Sequence, residues 1–373
     1  MRHLSLFFPP GDRWILLAWF CLCLFSLAVL WSVTEPLHGP YKELDPGVSK
    51  EVFYRQVFWL AIGFCALVAA SRFPLRYLDN ISMPLFLLSV LLLALILLVG
   101  PRIGGARRWL VLGPINIQPS ELAKVTFILV TANFLGRSVE EGRGVAAALG
   151  SFLIMAVPMV LVLREPDLGT SLVFVAVWVG MVFWFGSVGL LLLGAGSAVL
   201  SAVIMFYAES FAKEAWLWGG YIVVLVAILY FVRLSIISKV VLLAVNVGFG
   251  IGIPFFWEKL QGYQQERIMT FFDPSRDEFG SGYQAIQSKV AIGSGGLFGT
   301  HYLQGTQKGL AFLPERHTDF IFSVVGEELG FVGAVVLLGL FLTIIMRGID
   351  IGGSARRPFG SFVAVGVVTY FTF

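Results

Sequence analysis

Apolar runs of about 17–25 residues recur along this chain, the length an α-helix needs to cross a hydrocarbon core of roughly 30 Å. Set against their polar flanks, they predict spans over 14–33, 54–71, 82–100, 119–136, 146–163, 170–186, 187–207, 217–233, 237–256 and 319–346, with a further partial span over 359–373. No polar face exists to clothe such helices in water. The predicted fold is all-α: a polytopic transmembrane helical bundle of about 10–12 spans, forming a single integral membrane domain over 1–373. The first run, Trp14 to Val33, is too long for a signal core and no small-residue cleavage site follows it, so it reads as a span.

The polar segments between the runs set the orientation. Arg2 and Arg13, Arg72 and Arg76, Arg137 and Arg143, Arg233 and Lys239, and Arg347 with Arg356 and Arg357 alternate onto one side. Short loops rich in Lys and Arg stay in the cytoplasm, which places the N-terminus there, in a multi-pass protein of the cytoplasmic (inner) membrane. On the opposite side lie 34–53, 101–118, the Arg164 turn, 208–216 and the long stretch 258–318. That stretch is far longer than the roughly 15 residues beyond which loops are usually functional or disordered. Its Tyr263, Tyr283 and Tyr302 argue against disorder, and its glycines at 293, 295 and 296 suit tight packing against a membrane surface. Region 258–318 is therefore the expected extracytoplasmic catalytic loop.

Composition strengthens the membrane reading: 58% of residues are hydrophobic and 13% charged, where a soluble domain has about a quarter charged. A net charge of +3 is too small to suggest nucleic acid. Cys21, Cys23 and Cys65 all sit in apolar segments, as small fillers rather than a disulfide framework. Four histidines without an H-x-x-x-H pair make a zinc site improbable, and no metal ligands are assigned. No nucleophile elbow is present, and the glycines at 293–296 lack the Lys-Ser/Thr of a phosphate loop.

Two groups of charges stand where the pattern disfavours them. Arg102, Arg107, Arg108, Arg164, Arg267, Lys289, Lys308 and Arg316 fall on the outer side, and together they suggest an anionic ligand. Arginine suits a diphosphate because its planar fork donates paired hydrogen bonds. Acids at membrane depth form the second group. Glu121 and Lys124 are three apart on one helix and can pair. Asp167 lies at a tight turn between spans, and Glu327 and Glu328 follow Asp319 into the 319–346 run. Such residues face a polar cavity or join helices to one another, and Glu328 is open to facing the other way. In the loop, Asp273, Asp277 and Glu278 each could serve as general base on an acceptor hydroxyl, and spacing does not choose among them.

The run from Gly282 to Leu297, Gly305-Thr-Gln307 and the segment Phe312 to Phe322 resemble the SEDS family (shape, elongation, division and sporulation). The intact Leu-Pro-Glu-Arg-His-Thr-Asp-Phe over 313–320 is closest to its elongation branch, RodA. Gly105 to Trp109, Gln118 to Lys124 and Glu165 to Thr170 match further family motifs, so the resemblance runs from about residue 100 to 345. It implies a peptidoglycan glycosyltransferase that polymerises lipid II outside the cytoplasmic membrane during cell elongation. It also implies a class B penicillin-binding protein as transpeptidase partner, and other elongation-complex membrane proteins. The family's essential acid falls on Asp277, which selects it among the three. Arg107, Arg267 and Lys289, with Arg102 and Arg316, become candidates to offset the departing diphosphate, and Trp109 either contacts substrate or docks the loop. Glu121, Lys124, Asp167, Glu315, His317, Asp319 and Glu327 are the accompanying polar residues. A divalent cation, magnesium or manganese, could share the charge, though no ligand cage is visible. Two departures from the ten-span family pattern are expected: an extra helix pair over 187–233, and a chain that stops at Phe373 before the final span. The competing reading is a lipid II flippase that uses Glu121, Lys124 and Glu327 as its path, and the third is a scaffold for the transpeptidase.

Overall fold

The computed structural model describes residues 12–35, 49–101, 107–112, 115–142, 144–165, 167–186, 194, 196–207, 216–232, 236–260, 262, 265–266, 269–270, 281–305 and 317–373. Among them the chain is helical apart from turns and one small ribbon. The helices are α1 (Arg13–Thr34), α2 (Lys50–Arg72), α3 (Leu75–Val99), α4 (Pro119–Glu140), α5 (Gly144–Arg164), α6 (Leu168–Trp184), α7 (Ser197–Tyr207), α8 (Trp216–Phe231), α9 (Ile236–Lys259), α10 (Ser281–Ser294), α11 (Ile321–Ser354) and α12 (Pro358–Thr372). Strands β1 (Leu110–Leu112) and β2 (Ile115–Ile117) pair antiparallel, with Val111 opposite Asn116. Six of the described helices, α1 to α5 and α11, are long and apolar enough to cross a membrane. The chain divides into two compact units, one made of residues 1–74 and 262–350, the other of 75–261 and 351–373.

In the second unit α4 is the central element. Two-thirds of its apolar stretch is buried, and α3, α5, α6 and α12 surround it. Lipid supplies no hydrophobic drive between helices, so close backbone approach has to hold them. The sequence provides it: Gly136 of α4 lies against the backbone of Phe359, and Gly366 of α12 against Ile128 and Met181. Phe127 and Phe174 fill the centre edge to face, with ring centroids 5.5 Å apart. Asn133 of α4 donates to the Asp79 carboxylate and main chain of α3. The segment 187–233 contains α7 and α8, which polar bonds join to α9. Asn246, fully buried, donates to Ser197 Oγ at 2.9 Å and accepts from the Tyr221 hydroxyl at 2.9 Å. Trp218 donates to Ser201, and Ser201 in turn to the Asn246 carbonyl.

The first unit is built on α1 and α11. Val29 and Val33 of α1 pack with Val324 and Val325 of α11. Asp12 caps α1 by accepting from the Trp14 and Ile15 amides, and it also pairs with Arg347 near the end of α11. That arginine holds the Asp12 carboxyl below the usual carboxylate range. Helix α2 has no buried residue in its span and meets α1 through Trp31 and Phe53.

Helix α11 is broken at Gly330 (φ 64, ψ −162). A break inside a span leaves amides and carbonyls that lipid cannot satisfy. Residues 295–300 supply the missing partners. Phe331 N donates to the Gly296 carbonyl at 2.9 Å, Val332 N to Leu297 at 3.1 Å, and Thr300 N to the Glu327 carbonyl at 2.9 Å. A Cβ at Gly295 would collide with the Gly326 carbonyl, and one at Gly299 (φ +81) with that of Glu328. Of the glycines expected to pack against a membrane surface, Gly295 instead packs on the main chain of α11, while a Cβ at Gly293 or Gly296 would meet nothing within 4 Å. His301 and Leu303 follow in left-handed conformations rare outside glycine, held by the Tyr302 hydroxyl on the Ala28 carbonyl at 2.7 Å.

Candidate active site

The arm Arg107–Trp109 leads from α3 into the β-ribbon. Arg107 Nη1 donates to the Leu97 and Leu98 carbonyls at 2.8 and 3.0 Å, closing the C-terminal end of α3 as basic residues often do. Its Nε is buried and meets no partner among the described residues. Arg108 Nε donates to the Glu165 main-chain carbonyl at 3.0 Å, and its guanidinium lies 3.9 Å from Asp167 Oδ2. Trp109 is partly exposed.

Asp167 is the N-cap of α6. It accepts from the Thr170 amide at 3.1 Å and hydroxyl at 3.0 Å, and Gln118, just before α4, reaches it at 3.5 Å. Three motifs separated in sequence therefore meet around this carboxylate: the arginine arm, the Gln-Pro-Ser start of α4 and the α5–α6 turn. In the same turn Glu165 is 1% exposed, and neither carboxylate oxygen has a partner among the described residues. Burial, and then the charge of Asp167, push its carboxyl up to about 7 against the pull of Arg108. Sequence reading passed over Glu165 because a Glu at a turn is ordinarily solvated; only its burial sets it apart.

Glu121 and Lys124 do pair, at 2.8 Å, with the lysine nearly buried and the glutamate half exposed. Tyr370 of α12 joins them: its hydroxyl donates to Glu121 at 3.1 Å, and its ring centre is 4.9 Å from the ammonium. Nothing in the spacing of residues 121 and 124 could have pointed to position 370.

In the first unit, Glu327 and Glu328 are both buried. Glu328, whose direction the sequence left open, accepts the Ser32 hydroxyl on both oxygens at 2.6 Å. A serine within the apolar run of α1 was the sequence signal. Glu327 Oε2 approaches Gly305, where a Cβ would come within 3.0 Å of it. Lys289 on α10 and Asp319 are exposed, and His317 is partly so. Asp277, Arg102, Arg267, Glu315 and Arg316 lie outside the described residues, as do Asp273 and Glu278. Among the described residues no group of three His, Cys, Asp or Glu side chains could hold a metal ion.

Helices surrounding a buried α4, with charged turns at their ends, define a polytopic membrane protein with ionisable groups held between its elements. The FtsW/RodA/SpoVE family model, described as cell cycle protein, matches residues 13–217 and 218–373. This chain belongs to that family and is a multi-pass membrane protein. It is 33% identical over 362 residues to the peptidoglycan glycosyltransferase MrdB of Escherichia coli K12, covering 96% of this chain and 80% of the relative. It is 30% identical over 350 residues to the peptidoglycan glycosyltransferase RodA of Treponema pallidum, covering 87% and 80%. Among solved structures, a chain from a peptidoglycan synthase complex that coordinates polymerization and crosslinking superposes with a TM-score of 0.62 at 28% identity, covering 97% of this chain and 84% of that one. RodA of Thermus thermophilus shares the fold, with a TM-score of 0.55 at 24% identity, covering 97% and 82%.

Proposed function

We propose that this protein is a peptidoglycan glycosyltransferase of the RodA branch, polymerising lipid II at the outer face of the cytoplasmic membrane during elongation. The observation that carries this reading is the 33% identity to MrdB across nearly the whole chain. The convergence of Arg108, Gln118 and Asp167 at one turn supports it, because those motifs are shared with the family and gather polar groups at the ends of spans. In this scheme Asp277 takes the proton from the 4-hydroxyl of the acceptor GlcNAc. The oxygen attacks the anomeric carbon of the donor MurNAc, and undecaprenyl diphosphate departs with the bonding electron pair. Lys289, Arg267, Arg102 and Arg316 offset the charge gathering on the diphosphate, and the Arg107–Trp109 arm contacts the substrate. A class B penicillin-binding protein crosslinks the product, and the N-terminus is cytoplasmic, as the basic loops require.

The test is Asp277→Asn, assayed with purified lipid II and a class B penicillin-binding protein. Loss of glycan polymer with normal folding supports the assignment. Unchanged polymerisation overturns it, and transbilayer movement of lipid II without polymer from the wild-type protein favours a flippase.

A further inference from the structure

The α5–α6 turn holds an acid to which the proposed reaction gives no task. Glu165 is 1% exposed, and both its carboxylate oxygens lack a partner among the described residues. An ionised carboxylate in that setting is costly, and the usual relief is to keep the proton. Its charged surroundings among the described residues are few. Asp167, two residues on, opposes ionisation, and Arg108 favours it. Arg108 has its Nε on the Glu165 main-chain carbonyl at 3.0 Å and its guanidinium 3.9 Å from Asp167. From α4 come Gln118, directed to Asp167, and the Glu121–Lys124 pair, closed on itself at 2.8 Å. Arg164, next in the chain, is exposed. One guanidinium is thus bonded to the main chain of Glu165 and paired with the Asp167 carboxylate, beside a buried carboxyl group that has no partner among the described residues.

We propose that Glu165 is a positioning residue acting through Arg108. As the neutral acid it leaves the guanidinium to Asp167, which fixes the Arg107–Trp109 arm against the α5–α6 turn. When Glu165 gives its proton to water, its carboxylate competes for Arg108, the Asp167 pair loosens, and the arm is released. No bond other than O–H changes. Burial places this exchange in the neutral range, so the arm is held on the acidic side and freed on the alkaline side. The consequence for catalysis rests on the reading that this arm meets the lipid substrate.

The experiment is an infrared pH titration of the full chain in lipid bilayers, comparing wild type with Glu165→Gln. A protonated-carboxyl band missing from E165Q should disappear as pH rises through neutrality. Amide hydrogen exchange in residues 107–112, corrected for intrinsic rates, should quicken over the same range in wild type and show no such step in E165Q. Asp167→Asn should lower the midpoint of the band, since it removes the opposing charge and frees Arg108 together. Absence of a Glu165-dependent band near neutral pH overturns the proposal, as does arm exchange identical in the two proteins or a midpoint unmoved by D167N. None of these measurements needs glycosyl transfer, so their failure is distinct from failure of the Asp277→Asn test.

Discussion

Ser32 of α1 donates its hydroxyl to Glu328 of α11, 2.6 Å from each carboxylate oxygen, with both residues buried. Near the α11 break this contact joins two spans almost 300 residues apart in sequence, in addition to their valine packing and the Asp12–Arg347 pair. Hydrogen bonds between spans contribute about 0.6–2 kcal/mol, less than their dry surroundings suggest, because the unfolded spans also find partners. Ser32→Ala should therefore lower stability by about that amount, while Ser32→Thr, which keeps the hydroxyl, should recover much of it. Thermal unfolding of the purified protein in detergent decides the matter; equal midpoints for S32A and wild type would remove the contact from the list of stabilising ones.

The glycines at 293 and 299 differ in what they can tolerate. Gly299→Ala places a methyl group on the Glu328 carbonyl at a φ of +81, whereas Gly293→Ala meets nothing within 4 Å. The first should cost about 1–3 kcal/mol or prevent folding, and the second should fall within about 0.5 kcal/mol of wild type. Yield and melting temperature of the two variants, side by side, check this.

For the Glu121–Lys124 pair the asymmetry of burial sets the order. Lys124 has 8% of its side chain exposed and Glu121 has 51%. Glu121→Gln strands an ammonium beside the Tyr370 ring, while Lys124→Met leaves a half-exposed carboxylate still bonded to the Tyr370 hydroxyl. Breaking a pair from the side that leaves a buried charge is the costlier choice. The expected ranking of unfolding midpoints is wild type, then K124M, then E121Q, and the reverse order of the two variants refutes the argument.

Glu165 gives a pH dependence whose sign can be worked out. Its carboxyl is raised in the folded protein from the ordinary 4.5 to about 7. Between those values the folded chain holds a proton that the unfolded chain has lost, so this group's contribution to stability falls as pH rises and levels off above about 7. Glu165→Gln removes that slope. Its melting temperature relative to wild type should rise from about pH 5 to about pH 7.5 and then stay constant; a difference independent of pH would show that Glu165 ionises normally.

The helical, membrane-spanning character of the chain was legible in the sequence because it is a local property. A run such as Leu75–Val99 has to satisfy its backbone internally in lipid, and only a helix does so within one segment. The candidate site was legible in part. Glu121 and Lys124 are one helical turn apart, so their pairing follows from period alone. The pairing of Leu110–Leu112 with Ile115–Ile117 escaped notice because two three-residue strands carry little periodic signal.

Partnerships across long sequence distances were another matter. That Glu328 meets Ser32 depends on how α1 packs against α11, and the break at Gly330 depends on carbonyls supplied by residues 296 and 297. That Tyr370 closes on Glu121, or that Arg108 stands between Glu165 and Asp167, depends on which helix ends the packing around α4 brings together. By itself the sequence determined which segments are helical and apolar enough to span and which charged residues sit at the ends of spans, because hydropathy and helical period act within a segment. The tertiary structure alone decided which of those charges are partnered, capped or left buried without a partner, because interhelical packing is set by close contacts between small residues and leaves no periodic trace in any one segment.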